Sequence, residues 1–248
     1  MGRVARKKST SGVYHVIIRG IGKQILFEDK NDGYRFLQIV KKYKEQQEIL
    51  LYCYCMMENH VHLLICDKNM NIDIFMKKIE TSYAFHYNDK YERVGNLFQG
   101  RYQSEPVEND TYFMIVFRYI LQNPIKSGIC TIDEYLWSSY KEYANNYSGI
   151  TDKEFAIKHF NGKNNLLNFV NTLNNDNCLD IKAPPIKDTV AIDIIRRELN
   201  VKSGTALQNF SKKDRNQSLK LLVAKGLSMR QIERLTGISK DIIYRATK

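Results

Sequence analysis

Two histidines separated by one residue stand within a run of strand-forming residues at positions 54–65. Side chains alternate between the two faces of a β-strand, so His60 and His62 point to one face and Val61 to the other. Their backbones lie about 6–7 Å apart in an extended strand, which lets both rings reach one metal ion. The alternative is a pair of half-exposed strand histidines without a ligand, so a site requires further residues.

A tyrosine and an asparagine four residues apart, Tyr119 and Asn123, provide such residues. Asp110 is expected to cap a helix that Pro124 ends soon after Asn123. Residues four apart lie one above the other on a helix, so a phenol and an amide oxygen can face one small site. A tyrosine at helical spacing is often a packing residue, and this chain has 16 tyrosines, so the pair gains weight only beside the histidines.

Five segments extend the pattern beyond these two sites. They are YHVIIRG at 14–20, MENHVHLL at 57–64, GNLFQGRY at 95–102, RYILQNP at 118–124 and WSSY at 137–140. In order and spacing they resemble the REP-associated tyrosine transposases, a branch of the IS200-like single-tyrosine HUH nucleases. The resemblance covers roughly residues 12 to 145, and the family often has Pro where this chain has Glu58.

This resemblance implies an enzyme that cleaves and rejoins single-stranded DNA, on hairpin-forming repeat sequences. Tyr119 is then the nucleophile, and the intermediate is a covalent 5′-phosphotyrosine with a free 3′-hydroxyl. The reaction is a transesterification, because the phosphodiester energy is kept in the covalent link, and it needs no nucleotide cofactor.

The chemistry of the residues agrees with that activity. A free phenol has a pKa of about 10 and attacks a phosphodiester poorly. A cation held by His60 and His62 would offset the charge of the transition state. Asn123 either supplies a third metal ligand or orients Tyr119. Mixed nitrogen and oxygen ligands suit Mg²⁺ or Mn²⁺, and by affinity they do not exclude zinc.

Such a site must also hold a single strand, through aromatic stacking and contacts to phosphate. Residues 1–11 are small, basic and polar, and we expect them to form a mobile arm. For the arginines, structural salt bridges are the alternative. The DNA-binding candidates in this part of the chain are Arg6, Lys7, Lys8, Arg19, Arg101 and Tyr102.

Hydrophobic periodicity predicts an α+β fold around this site. The element order β-α-β-β-α-β is that of a ferredoxin-like antiparallel sheet, to which the Tyr119 helix is added. Such a sheet carries helices on one face and leaves the other face able to hold a ligand. The expected strands are 13–19, 49–57, 60–66 and 102–107, and the expected helices are 32–47, with Asp32 as its cap, and 72–87.

Charge points to a polyanionic partner. The chain of 248 residues has a formal net charge of +11, which is typical of nucleic-acid-binding proteins. Residues 188–248 carry 13 Lys and Arg against 6 Asp and Glu. We therefore predict three parts: a nuclease domain at 1–145, a helical linker region at 146–187 ending near Pro184-Pro185, and a DNA-binding domain at 188–248.

The last part has the pattern of a helix-turn-helix. A helix from Arg215 stops at Gly226, Ser228 caps the next helix, Gly237 gives a turn and Ser239 caps the last helix. A small helical dimerisation bundle is the alternative, and the local basic excess argues against it. The residues available to a DNA groove are Arg230, Ser239, Lys240, Tyr244 and Arg245.

Nothing in the sequence indicates a membrane or secreted protein. The longest apolar run, 49–57, is too short to cross a bilayer, and no secretory signal is visible. Cys53 and Cys55 lie beside the histidines, but a single intervening residue is poor spacing for a zinc site, so we interpret both as core residues. We expect a cytoplasmic, nucleoid-associated protein.

Two other function classes share part of this pattern. A relaxase or replication-initiator nuclease also has the histidine pair, but it usually places its tyrosine differently or carries two. A non-catalytic regulator that binds hairpin DNA would have no reason to keep the set of His60, His62, Tyr119 and Asn123. The sequence leaves monomer and homodimer open.

Overall fold

The protein is described here by a computed structural model covering residues 6–145, 147–174, 176, 178–180 and 188–247. The chain divides into two compact units, Met1–Ile181 and Lys182–Lys248, each with most of its contacts within itself. The boundary expected at Pro184-Pro185 lies outside the described residues. Within the described ranges, no helix is long and apolar enough to cross a membrane.

The first unit is built on a four-stranded antiparallel sheet in the order β2-β3-β1-β4. This order confirms the expected ferredoxin-like α+β fold. The hairpin expected around Glu58-Asn59 joins β2 and β3. The strands are β1 (Val13–Arg19), β2 (Leu50–Met57), β3 (His60–Cys66) and β4 (Gln103–Pro106).

Two helices cover one face of this sheet. They are α1 (Lys30–Gln46) and α2 (Ile72–Lys90), and they pack over a core that includes Phe36, Phe75 and Tyr83. The expected cap, Asp32, is instead the third residue of α1. Asp29 caps the helix by accepting a hydrogen bond from the Asp32 backbone N–H, and the Asp32 carboxylate accepts one in return from the backbone N–H of Asp29, a capping box.

The opposite face is covered by α3 (Asp110–Leu121), which carries Tyr119 and packs on β2 and β3. The predicted cap, Asp110, was wrong by one residue, because the side chain of Asn109 accepts the capping hydrogen bond. The helix also ends earlier than expected. Pro124 lies in the first turn of a short helix, α4 (Asn123–Lys126), where proline costs no backbone hydrogen bond.

Residues expected to form a helical linker belong with the first unit. Two helices there are α6 (Lys153–His159) and α7 (Lys163–Asn171), and they follow α5 (Tyr140–Ala144). Buried residues of α6 and α7 join the apolar cluster that α3 forms with the sheet. The first unit therefore extends well beyond residue 145, because the outer surface of α3 needs its own cover.

The second unit is entirely helical over its described residues. Its core combines Ile195, Leu219, Leu222, Ile232 and Ile243. As expected, Ser228 caps the third helix and Gly237 ends it with a φ of 72°. The helices are α8 (Asp188–Leu199), α9 (Lys212–Ala224), α10 (Met229–Thr236) and α11 (Lys240–Thr247).

The contact between α1 and Trp137 gives a test of the packing in the first unit. A Cβ added at Gly33 would lie 2.4 Å from the Trp137 ring. Gly33→Ala should therefore lower the free energy of unfolding by about 1–3 kcal/mol through overpacking, although alanine in a helix interior usually gains up to about 1 kcal/mol over glycine.

Urea unfolding followed by tryptophan fluorescence measures this effect, because Trp137 is the chain's sole tryptophan and reports on the first unit. Lys41→Ala, at an exposed position of the same helix, is the control and should leave the midpoint nearly unchanged. A urea midpoint for Gly33→Ala at or above that of the parent would show that the Trp137 ring shifts without lowering the free energy of unfolding.

Candidate active site

The two histidines of β3 point to the face of the sheet that α3 covers. In the antiparallel register His60 lies opposite Arg19 and His62 opposite Ile17 of β1. The two imidazole centroids are 5.0 Å apart. The strand therefore places both rings on one face, as the alternation of side chains predicted.

Tyr119 meets the histidines from the last turn of α3. Its ring centroid lies 6.0 Å from that of His62, and only 4% of its surface is exposed. The helix that packs on β2 and β3 thus delivers the phenol to the histidine pair, although 57 residues of sequence separate the two.

A third histidine, His15 of β1, was missed as a site residue. Its Nε2 lies 3.0 Å from Nδ1 of His62, and both side chains are fully buried. Its ring centroid is also 6.0 Å from that of Tyr119. The available signal was a polar residue at an inward position between Val13 and Ile17, but its partner depends on strand register, which the sequence does not specify.

Burial keeps the histidines neutral. Loss of solvation lowers the pKa of His15 to about 3 and that of His60 to about 4, and it takes the pKa of His62 well below its usual value. All three are therefore uncharged at pH 7, and the neutral imidazole is the form that binds a metal.

The free nitrogens of the pair fit a cation. His60 Nδ1 donates to the side-chain oxygen of Asn59 at 2.8 Å, which leaves its Nε2 available. His62 Nδ1 is engaged with His15, while its Nε2 is buried without a hydrogen-bond partner. Within the described part of the chain no group of three or more His, Cys, Asp or Glu side chains is placed to hold a metal ion, so other ligands would have to be amide, water or substrate oxygens.

Asn123 does not stand one turn below Tyr119 on a continuous helix, because α3 ends at Leu121. Its amide nitrogen instead donates to the backbone carbonyls of Tyr119 and Ile120, at 3.0 and 3.3 Å. The side chain therefore ties down the turn that carries Tyr119. This contact agrees with an orienting role, and the role as metal ligand stays a prediction.

Two further residues next to Tyr119 were missed. Lys126 Nζ lies 4.1 Å from the centroid of the phenol ring. Burial first, and then a hydrogen bond and the negative charge of Asp180, raise the pKa of Tyr119. The phenol is therefore protonated at neutral pH. No sequence signal links Asp180 to the site. The position of Lys126 relative to Tyr119 could not be predicted, because a new helix, α4, begins between them.

The cysteines beside the histidines pack as core residues. Cys53 and Cys55 are both fully buried on the α3 face of the sheet. Burial raises the pKa of both thiols, which disfavours the thiolate form that zinc binds.

Most DNA-binding candidates of the first unit gather in one cleft of about 920 Å³, lined by Arg6, Lys7, Lys8, Arg101 and Tyr102 among others. Described residues of the expected mobile arm contact the rest of the first unit. Arg6 pairs with Asp73 at 2.7 Å and covers the Tyr102 ring at 3.7 Å, because a buried ring and a carboxylate meet there. That face of Tyr102 is thus closed to a base, whereas Lys7, Lys8 and Arg101 are exposed.

Arg19 lies apart from this cleft, on the histidine face. It is the cross-strand neighbour of His60, and its Nε is buried without a hydrogen-bond partner. Its positive charge acts with burial to lower the pKa of His60, so the guanidinium lies near the histidine pair, and within the described ranges it forms no salt bridge.

In the second unit the DNA-binding candidates lie on α10, on α11 and in the turn between them. All of them are exposed: Arg230, Ser239, Lys240, Tyr244 and Arg245.

Comparison with known proteins finds similarities to the first unit. The family model for IS200-like transposases matches residues 8–123. The solved structure of a REP-associated tyrosine transposase bound to a REP hairpin aligns with a TM-score of 0.51 and 15% identity, over 62% of this chain and 96% of that chain. A Deinococcus radiodurans R1 protein described as a transposase aligns with a TM-score of 0.35 and 19% identity, over 52% and 100% of the two chains. No curated protein matches at a significant level. The residues matched by that family model contain the three histidines of the site and Tyr119.

Proposed function

We propose that this protein cleaves and rejoins single-stranded DNA through a covalent link to Tyr119, assisted by a divalent cation on His60 and His62. The observation that carries the proposal is the convergence of Tyr119 with the histidine pair on one buried face, with 6.0 Å between the Tyr119 and His62 rings. The match of residues 8–123 to the family model for IS200-like transposases supports the same reaction class.

The residues around the pair suit a hard cation such as Mg²⁺ or Mn²⁺. His60 and His62 would hold it through their Nε2 atoms, with Asn123 either as a further oxygen ligand or as the residue that fixes the Tyr119 turn. When bound, the cation supplies a positive charge that polarises a non-bridging phosphate oxygen. Arg19, beside His60, can add a second positive charge to the same phosphate.

In the attack, a bond forms between the Tyr119 oxygen and phosphorus while the bond from phosphorus to the 3′-oxygen breaks. Burial and Asp180 raise the pKa of Tyr119, so the phenol is protonated before the attack and must lose this proton. The Asp180 carboxylate can accept that proton, and the departing 3′-oxygen takes one from solvent. Attack by another 3′-hydroxyl reverses these steps and rejoins the strands.

The cleft with Lys7, Lys8 and Arg101 supports binding of a DNA strand next to this site. Exposed basic side chains contact phosphates regardless of sequence. The structural relative was solved with a REP hairpin, and we propose that this chain also acts on hairpin DNA. The second unit would add a groove-binding helix pair, α10 and α11.

The nucleophile can be tested with two tyrosines on the same helix. Tyr119→Phe should abolish the covalent protein–DNA adduct while DNA binding persists, because it removes only the attacking oxygen. Tyr112→Phe is the matched control and should retain the adduct, since the Tyr112 hydroxyl is bound to Glu105 at 2.6 Å.

Incubation of each variant with 3′-labelled hairpin DNA and Mn²⁺, followed by denaturing electrophoresis, measures the adduct. A labelled protein band that survives in Tyr119→Phe assigns the nucleophile to another residue. Loss of the band in all proteins, including the parent, would favour a non-catalytic hairpin-binding regulator.

The histidine pair is tested by His60→Ala and His62→Ala. Each should abolish strand cleavage and leave hairpin affinity nearly unchanged, because the neutral imidazoles hold the cation and not the DNA. Cleavage is measured across a Mn²⁺ titration and binding by filter retention. Cleavage near the parental rate in either variant would contradict the metal role.

The helix pair of the second unit is tested by charge removal in the full chain. Replacing Arg230, Lys240 and Arg245 by Gln should reduce the slope of log affinity against log salt, by up to about 0.9 for each lost phosphate contact. Replacing Lys202, Lys212 and Lys213 by Gln removes the same charge outside α10 and α11, and it should change the slope less. Equal slopes for the two triple variants would assign the effect to overall charge and not to the helix pair.

A further inference from the structure

His15 contacts His62 diagonally across the sheet. Their backbones are not paired, because His15 lies opposite Leu64 and His62 opposite Ile17. The rings nevertheless stack at a centroid distance of 5.3 Å, with 3.0 Å between His15 Nε2 and His62 Nδ1. Neither ring is exposed to solvent.

Only one of the two nitrogens in this contact can carry the hydrogen, so two arrangements exist. In the first, His62 Nδ1–H donates to His15 Nε2, and the lone pair on His62 Nε2 is free. In the second, His15 Nε2–H donates to His62 Nδ1, and His62 Nε2 carries a hydrogen that blocks a metal.

The surroundings of His62 favour the first arrangement once a cation is present. Each arrangement leaves one buried N–H without a hydrogen-bond partner, on His15 Nδ1 in the first and on His62 Nε2 in the second, so a cation at His62 Nε2 decides for the first. The same nitrogen completes a pair with His60, whose ring centroid is 5.0 Å away. A metal ligand whose other ring nitrogen donates a hydrogen bond has its tautomer and its orientation fixed.

We propose that His15 is a positioning residue that holds His62 in the tautomer with Nδ1 protonated and Nε2 open to a divalent cation. The inference rests on the proposed metal role of His60 and His62. His15 is not itself a third ligand at this pair, because the nitrogen it turns towards the site is used by His62. Its ring also contacts Tyr119 edge-on at 6.0 Å, so one side chain orients a metal ligand and packs against the nucleophile.

Metal affinity of the full chain, and not activity, tests the inference. Isothermal titration with Mn²⁺ compares the parent with His15→Gln and His15→Leu. Glutamine can place its amide oxygen near the position of Nε2 and accept the hydrogen bond from His62. The Mn²⁺ affinity of His15→Gln should therefore stay close to that of the parent. Leucine keeps an apolar volume without an acceptor, and its affinity should fall about 10–100-fold, as for other residues that support a metal ligand.

His60→Ala and His62→Ala in the same titration separate the two levels of the proposal. Loss of Mn²⁺ binding in both, with parental affinity in His15→Leu, overturns the role of His15 and leaves the metal site standing. No binding by the parent overturns the metal site itself. Urea unfolding followed by Trp137 fluorescence checks that each variant keeps its fold.

The tautomer can also be read without any substitution. Nitrogen-15 NMR of the parent distinguishes a protonated from an unprotonated ring nitrogen, and the chain has only 5 histidines to assign. A hydrogen on His62 Nδ1 is the expected result with saturating Mg²⁺, which is diamagnetic and leaves the ring signals visible. A hydrogen on His62 Nε2 would overturn the proposal even if His15→Leu failed to fold.

Discussion

The register between β1 and β3 is the constraint on which the site depends. It brings His15, Arg19, His60 and His62 to the face that α3 covers. A shift of one residue would turn every side chain of a strand to the other face and separate these groups. The register is held because the same two strands bury apolar residues on both faces, with Val16 and Val61 towards α1 and α2, and Leu64 towards α3. Packing that stabilises the core thus also fixes the geometry of the site.

Much of this arrangement could be predicted from the sequence, for local reasons. Alternation placed His60 and His62 on one face, and the order of strands and helices gave the ferredoxin-like sheet. Capping was less predictable, since Asp29 and Asp32 are both suitable caps three residues apart and only the helix start distinguishes them. The end of α3 was misjudged because proline is tolerated in the first turn of a new helix as well as after an old one.

The remaining site residues depend on contacts that are distant in sequence. His15 can be recognised as a site residue only from its contact with His62, which is 47 positions away in the sequence. Asp180, which interacts with Tyr119, follows α6 and α7 in the sequence, and these two helices were expected to lie in a linker. Because these helices pack on α3, the segment that follows them passes close to the Tyr119 side chain. No local pattern encodes that approach, so a sequence gives the main groups of the site and leaves out their neighbours.

Burial acts on the two kinds of group in opposite directions. It disfavours the charged form of each, so it lowers the pKa of the histidines and raises that of Tyr119. The histidines are therefore ready to bind a cation at any pH near neutrality, whereas the phenol stays protonated and a poor nucleophile. In the proposed reaction, this difference makes attack depend on what enters the site. A bound cation would add its positive charge to that of Lys126, which lies 4.1 Å from the ring centroid, and would so offset the negative charge of the phenolate. In the proposed mechanism, a single physical cause thus keeps the histidines able to bind a cation and keeps the phenol unreactive until the substrate is bound.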